Sequence, residues 1–459
     1  MIVMKFGGTS VESAAAIGRA AAIVRTRLER RPLVVVSAMG KTTNRILAAA
    51  DKAAAGSLEE ALHEVDEVEA FHRAEGGAAI ATALHGRMEA VLQREFDSLD
   101  SAMEQIAEAG EVTPALWDAA ASHGERLSSA LVALAFEGMG MEAAHLDGRA
   151  VIITDSQHTQ ALPWYRRTYA RLKEIAAPLF ESHGVVVMGG FIGSSTSGVT
   201  TTLGRGGSDF SAAIVGAGLD AEEIQIWTDV DGMLTCDPRM LPGGRRLKKV
   251  SFEEAAEMAY FGAKVLHPAM LLPAVEKNIP VRILNSQRPE MEGTLIVGET
   301  VRSTNPVKSI ACKRGVTVVN VRSLRMLMAH GFLHRIFDVF DRYKTPVDMV
   351  ATSEVSVSLT IDQTQMLGEI EAELSKIAEV TVTPGQAIVC LVGEAIRETP
   401  GVGARVFGAL ARAGVNVRLI SQGASLLSLS ITVEDADVTK AASALHDELF
   451  STVDEAVFA

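Results

Sequence analysis

The sequence predicts an α/β protein: a three-layer αβα domain around a mainly parallel central sheet, followed by two smaller α+β modules. Three observations predict this. Over the first 298 residues, short apolar runs alternate with stretches of helical periodicity. Residues 51–111 break that rhythm with an acidic helical pattern. Near the end of the chain, residues 331–361 align without a gap to 401–431 at an offset of 70, which marks a duplicated module.

The elements follow in order. Ile2 to Phe6 is an apolar run ending at Gly7-Gly8. Ile17, Ala21, Val24 and Leu28 then fall at helical spacing. Leu33-Val34-Val35-Val36 is continuously apolar, as in a parallel strand buried on both faces. The same grammar returns at Val185–Met188 before Gly189-Gly190, at Ile224–Trp227 and at Val281–Leu284. Helices are expected at Ser251–Tyr260 and Pro268–Glu276. Residues 51–111 hold 15 acids and four bases, a net charge of −11, and read as a helical insertion with a solvated acidic face. The pattern breaks again around 297–308. The expected domains are therefore 1–298, 307–383 and 384–459. In the repeat, Gly331/Gly401, Arg335/Arg405, Phe337/Phe407, Val347/Val417 and Ser358/Ser428 are among the identical pairs. Each copy reads as a helix, a turn, an extended segment and an alternating strand.

Composition excludes several functions. With 57 acids against 43 bases the chain carries −14, which disfavours nucleic acid and anionic membranes as partners. No apolar run approaches a membrane span, and Met1–Gly8 has no signal-peptide pattern. Cys236, Cys312 and Cys390 are sparse and form no C-x-x-C pair, and the 11 histidines show no metal-ligand spacing. A cytoplasmic protein with reduced thiols and no protein-built metal site is expected.

Four segments carry chemistry. In Lys5-Phe6-Gly7-Gly8-Thr9-Ser10 a lysine ends a strand, and two glycines let backbone N–H groups approach a phosphate. Gly40-Lys41-Thr42 resembles the end of a P-loop, but its first glycine would have to be Val35, inside a strand, so it is not one. Thr200 to Asp209 combines four hydroxyl residues, three glycines, Arg205 and Asp209. Ser208 is expected to cap the following helix, with Asp209 in its first turn, and Arg205 offers a guanidinium to a carboxylate or phosphate. Trp227-Thr228-Asp229-Val230-Asp231-Gly232 leaves a buried strand as polar residues, where ligands of open α/β sheets bind. Gly262-Ala263-Lys264-Val265-Leu266-His267-Pro268 adds a further lysine before a helix.

Together with Gly124-Glu125-Arg126-Leu127-Ser128 and Gly190-Phe191-Ile192-Gly193, these segments, in this order, resemble the aspartate kinases of the amino acid kinase superfamily. The repeated C-terminal modules resemble the ferredoxin-like tandem ACT domains of the same enzymes. The resemblance implies MgATP-dependent phosphorylation of the β-carboxylate of L-aspartate, the first step towards lysine, threonine and methionine. It implies that Lys5, Gly7 and Gly8 hold the transferring phosphoryl group and that Asp209 organises the lysines and Mg²⁺. Ser37, Thr43, Glu125, Phe191, Arg205 and Ser208 match the aspartate pocket, with Glu125 facing the ammonium and Arg205 a carboxylate. Thr228, Asp229 and Lys264 match ATP positions. Met326, Gly331, Phe332, Leu333, Val347, Asp348, Thr352, Ser353 and Glu354 match the segments that bind a feedback amino acid, with Asp348 on its ammonium. Lysine ranks ahead of threonine as that effector, although Met328-Ala329 stands where lysine-sensitive relatives often carry His-Ser. A homodimer through the ACT modules, or a tetramer, is implied. Leu234 and Val199 depart from the family's usual aromatic and basic residues. Two other readings stay open: a non-catalytic amino-acid sensor, and a superfamily kinase for glutamate, carbamate or a nucleotide.

Overall fold

The structure is a computed structural model that describes residues 1–262, 272–299, 301–326, 330–394, 396, 398–422 and 427–459. It divides into two compact units, Met1–Met233 with Val265–Glu299, and Leu234–Lys264 with Thr300–Ala459.

Seven strands of the first unit form one sheet. Their spatial order is Ala143–Leu146, Val185–Gly189, Pro32–Val36, Ile2–Phe6, Glu223–Thr228, Val281–Asn285 and Thr294–Val297. All neighbours are parallel except the last pair. Ile2–Phe6 and Pro32–Val36 are buried throughout, as parallel strands covered on both faces must be. Parallel pairing brings Phe6, Val36, Gly189 and Thr228 to one edge, the carboxyl ends of the strands.

The acidic insertion is helical, with Leu58–Ala79 and His85–Ala109 following Thr42–Ala54. Val65, Val68, Leu92, Phe96, Leu99 and Met103 are buried in the same core as Leu127 and Leu131 of the helix Pro114–Gly138. Thr113 caps that helix and Pro114 occupies its first position. The acidic face is not uniformly solvated, and Glu95 corrects that expectation. Its side chain is 4% exposed and lies 2.7 Å from Arg126 and 3.3 Å from His123. Burial pushes its carboxyl up, but His123, Arg126 and Arg94 more than offset this and hold it at about 2.

The second unit contains a six-stranded antiparallel sheet ordered Met349–Thr352, Ser356–Ile361, Ser309–Arg322, Glu379–Val392, Ser428–Glu434, Leu419–Ser421. The two 14-residue central strands are themselves 70 residues apart. The helices Phe332–Arg342 and Val402–Arg412 repeat at the same offset, each started by a glycine with positive φ, Gly331 or Gly401. The expected boundary at 383/384 falls inside a continuous strand, next to a register shift opposite Val316. Ser309–Lys313 pairs with the half of that strand bound to Ser428–Glu434, so the second module is completed by residues from before the first. Residues 234–264, expected in the first domain, belong to the second unit. Ile310 N–H donates to Thr235 O at 2.8 Å, and the fully buried Lys308 pairs with Glu254 at 2.7 Å. The expected helix at Ser251–Tyr260 is Phe252–Phe261, with Ser251 and Glu254 forming a capping box. Of the helix expected at Pro268–Glu276, the described part is Leu272–Glu276.

Candidate active site

A cleft of about 550 Å³ in the first unit is lined by Lys5, Ser37, Thr43, Glu125, Phe191, Arg205, Ser208 and Asp209, all expected site residues, together with Trp117, Thr159 and Gln160. The sheet and two helices converge on it. Lys5 sits one residue from the end of its strand, and its Nζ lies 2.7 Å from Asp209 Oδ1, with both side chains mostly buried. Asp209 occupies the first turn of the helix Gly207–Gly218, where the helix dipole favours negative charge. Ser208 does not cap that helix. The capping position is Gly206, which with Gly204 takes a left-handed φ and turns the chain, leaving Ser208 as the second helical residue. Arg205, on the same turn, is exposed and makes no ion pair among the described residues.

Glu125 projects from the middle of the helix Pro114–Gly138 and is 5% exposed. Its Oε1 accepts from Ala38 N–H at 3.2 Å, and its buried Oε2 has no hydrogen-bond partner among the described residues. Burial pushes the carboxyl up to about 8, against the opposing pull of the Ala38 N–H and the Lys5 charge. Such a group is built to meet a cation.

Phe191 has φ +64, an uncommon conformation for an aromatic residue. Ser211 Oγ accepts from its N–H at 2.9 Å, and its ring packs edge-on to Trp117 at 6.4 Å. Preceding it, Gly190 has no room for a side chain: a Cβ there would stand 2.7 Å from Ser208 Cα. The Gly190-Phe191 turn and the Ser208 helix start thus share one tight contact.

Gly7 and Gly8 lie beyond the Lys5 strand. Gly7 N–H donates to Trp227 O at 3.2 Å. At Gly8 a Cβ would lie 2.9 Å from Ala38 O, so this glycine also admits the loop that carries Ala38. Thr228 and Asp229 stand at the same sheet edge, where Thr228 Oγ1 donates to Asp229 at 3.2 Å, but they do not line the cleft. Lys264 lies outside the described residues.

Sequence reasoning missed Asp118. It is fully buried and accepts from Thr202 Oγ1 at 2.5 Å and Thr159 N–H at 3.0 Å, and lies 2.7 Å from His158 Nδ1. Through it the Thr-Thr-Thr strand, whose Thr201 and Thr202 are buried, is joined to the Thr159–Gln160 wall. Trp117 lies eight residues before Glu125, about 80° around the helix from it, so helical spacing alone does not announce it. Thr159 and Gln160 carry no motif.

Among the expected effector residues, Gly331 starts the helix Phe332–Arg342, Phe332 is buried and Leu333 exposed. Met326 ends a short helical turn. Val347 and Asp348 precede the strand Met349–Thr352, and Ser353 and Glu354 follow it. Asp348 is thus about 13 Å from Thr352 along the strand.

The amino acid kinase family model matches residues 1–285, and an ACT domain model matches residues 389–449. Lysine-sensitive aspartokinase 3 of Escherichia coli K12 is 38% identical over 466 residues, which cover 98% of this chain and 99% of that protein. The crystal structure of E. coli aspartokinase III in complex with aspartate and ADP (R-state) superposes with a TM-score of 0.83 at 36% identity, covering 98% of this chain and all of that one. The same enzyme with lysine and aspartate (T-state) gives 0.80 at 37% identity, covering 98% and 99%. The chain belongs to the amino acid kinase family, on its aspartokinase branch, with ACT-type regulatory modules. It is an aspartate kinase that uses a nucleotide, and among the described residues no helix is long and apolar enough to cross a membrane.

Proposed function

We propose that the cleft binds L-aspartate between Arg205 and Glu125 and presents its β-carboxylate to the γ-phosphoryl group of MgATP at Lys5. The observation that supports this most is that one cleft holds a buried Glu125 oxygen and an Arg205 guanidinium, each without a partner among the described residues, together with the Lys5–Asp209 pair. A dicarboxylic amino acid offers the complementary charges: an ammonium for Glu125, an α-carboxylate for Arg205 and a second carboxylate left towards Lys5.

A carboxylate of ordinary pKa near ~4 is already ionised at neutral pH and needs no general base. One of its oxygens forms a bond to the γ-phosphorus, the bond from that phosphorus to the β-phosphate bridging oxygen breaks, and 4-phospho-L-aspartate and ADP result. The obstacle is repulsion between an anion and a polyanion, so positioning and charge neutralisation carry the catalysis. Lys5 neutralises the transferring group, the bare Cα of Gly7 beside Lys5 and the Gly8 backbone let it approach closely, and Asp209 orients Lys5. No cluster of three metal-ligating side chains occurs among the described residues. That fits Mg²⁺ arriving on the nucleotide's phosphates, with Asp209 able to supply one oxygen. Bound there, the ion would neutralise phosphate charge. Thr228, Asp229 and Lys264 are assigned to the nucleotide.

The effector is assigned as lysine, on the first ACT module. At the offset of 70, Asp348 is matched by Arg418 and Glu354 by Ala424, so the second module lacks the corresponding acids. Exposed Leu333 and Phe337, one helical turn apart, support assembly of this module with a second chain, as a dimer or tetramer. A cytoplasmic location is proposed. The test traps acyl phosphate as the hydroxamate from L-aspartate and MgATP, with and without lysine. ATP-dependent hydroxamate that lysine suppresses supports the reading. Its absence with aspartate overturns the substrate assignment, and insensitivity to lysine overturns the effector.

A further inference from the structure

Asp348 is not an open ammonium acceptor in this structure. Its Oδ1 lies 2.7 Å from Lys313 Nζ and accepts from Tyr260 Oη at 3.1 Å. Its Oδ2 is buried with no hydrogen-bond partner among the described residues. The side chain is 3% exposed. Lys313 also reaches Asp362 at 2.9 Å and stands 5.7 Å from the Tyr260 ring centroid, within cation–π range. An incoming ammonium therefore competes with the chain's own lysine and tyrosine at Oδ1, or has to uncover the buried Oδ2.

Tyr260 stands in the last turn of the helix Phe252–Phe261. Both ends of that helix are fastened to one segment, residues 308–313. At the start, Glu254 pairs with buried Lys308. At the end, Tyr260 meets Lys313 and Asp348, and Gly262 is pressed so closely on the strand that a Cβ would lie 2.6 Å from Cys312 O. From Gly262 the chain continues in sequence to Lys264, assigned above to the nucleotide.

We infer that Lys313 is an internal competitor for the effector's ammonium, and that Tyr260 is the positioning residue through which effector occupancy of Asp348 acts on nucleotide binding. This rests on the reading of Asp348 as part of the lysine site. A ligand shifts an equilibrium only through differential affinity, and here the difference is whether Asp348 holds Tyr260 and Lys313 or the effector. Coupling between sites is reciprocal, so it can be measured from either side.

The experiment titrates L-lysine into the full-length chain by calorimetry, with and without Mg²⁺ and a non-hydrolysable ATP analogue. In the wild type the nucleotide is expected to weaken lysine binding at least about fivefold, the low end of common couplings. In Tyr260→Phe lysine still binds, more tightly than to the wild type, and the ratio falls below about twofold. Lys313→Met is expected to tighten lysine binding without nucleotide. A wild-type ratio in Tyr260→Phe overturns the role of Tyr260, and unchanged or weaker lysine binding in Lys313→Met overturns the competitor role. A wild type that binds no lysine overturns the effector reading and this inference with it. Retained lysine binding in either variant excludes misfolding as the cause.

Discussion

Replacing Glu125 by Gln separates binding from stability in opposite directions. Burial raises this carboxyl to about 8 from an ordinary 4.5. At about 1.36 kcal/mol per pKa unit, holding it charged in this buried position costs about 5 kcal/mol as an upper bound. The sign follows from proton binding. Between the two values the folded state holds the proton and the unfolded state does not, so stability is lost as pH rises from about 4.5 to about 8. Glu125→Gln removes that loss. Urea unfolding without aspartate should therefore find the variant more stable by about 2 kcal/mol at pH 6 and by nearly 5 kcal/mol at pH 9. Binding moves the other way. An ammonium bonded to a carboxylate is worth about 1.5–3 kcal/mol, so the variant's KM for aspartate should rise roughly 10- to 150-fold at pH 8. The wild-type KM should fall about fivefold between pH 7 and pH 8, as the ionised fraction grows from about a tenth to a half. A wild-type KM in the variant would show that Glu125 does not meet the ammonium, and a stability difference that does not change with pH would show that its carboxyl is not raised.

Lys5→Ala should lower kcat by about 10²–10³ and, by leaving Asp209 without its mostly buried partner, cost about 3 kcal/mol in urea unfolding; unchanged kcat would contradict its assignment. Gly7→Ala and Gly8→Ala should differ, because a Cβ at Gly7 meets nothing closer than 3.7 Å whereas one at Gly8 lies 2.9 Å from a carbonyl oxygen. Gly7→Ala is expected to keep its melting temperature and lose at least tenfold in turnover, while Gly8→Ala loses both. Glu95, held at about 2 by its partners, contributes about 3 kcal/mol that is present above pH 4.5 and lost as pH falls through about 2. Glu95→Gln should therefore unfold at lower urea than the wild type at pH 7, with the gap closing below pH 4.5.

The parallel strands were legible because continuous Val and Ile runs have few other uses in a soluble chain. The motif residues at their carboxyl ends came with them, and Lys5, Glu125, Arg205 and Asp209 meet in one cleft. What was not legible depends on contacts distant in sequence. Asp118 looks like any helical acid until Thr159 and Thr202 are seen to converge on it. Glu95 looked solvated because nothing local announces Arg126 and His123. The Ser208 cap was misjudged because two left-handed glycines shift the helix start by two residues. The exchange of strand halves between the ACT modules was hidden because a 70-residue offset describes each strand without saying which half pairs where.

On the proposed function, the cleft is shaped for a two-carboxylate amino acid of aspartate's length. Acyl-phosphate formation, measured as kcat/KM with MgATP for L-aspartate and L-glutamate side by side, tests it most directly. Aspartate should be turned over efficiently and preferred over glutamate by at least about a hundredfold, because an extra methylene displaces the carboxylate assigned to Lys5 and the glycine loop. Equal turnover of the two, or phosphorylation of glutamate alone, would contradict it.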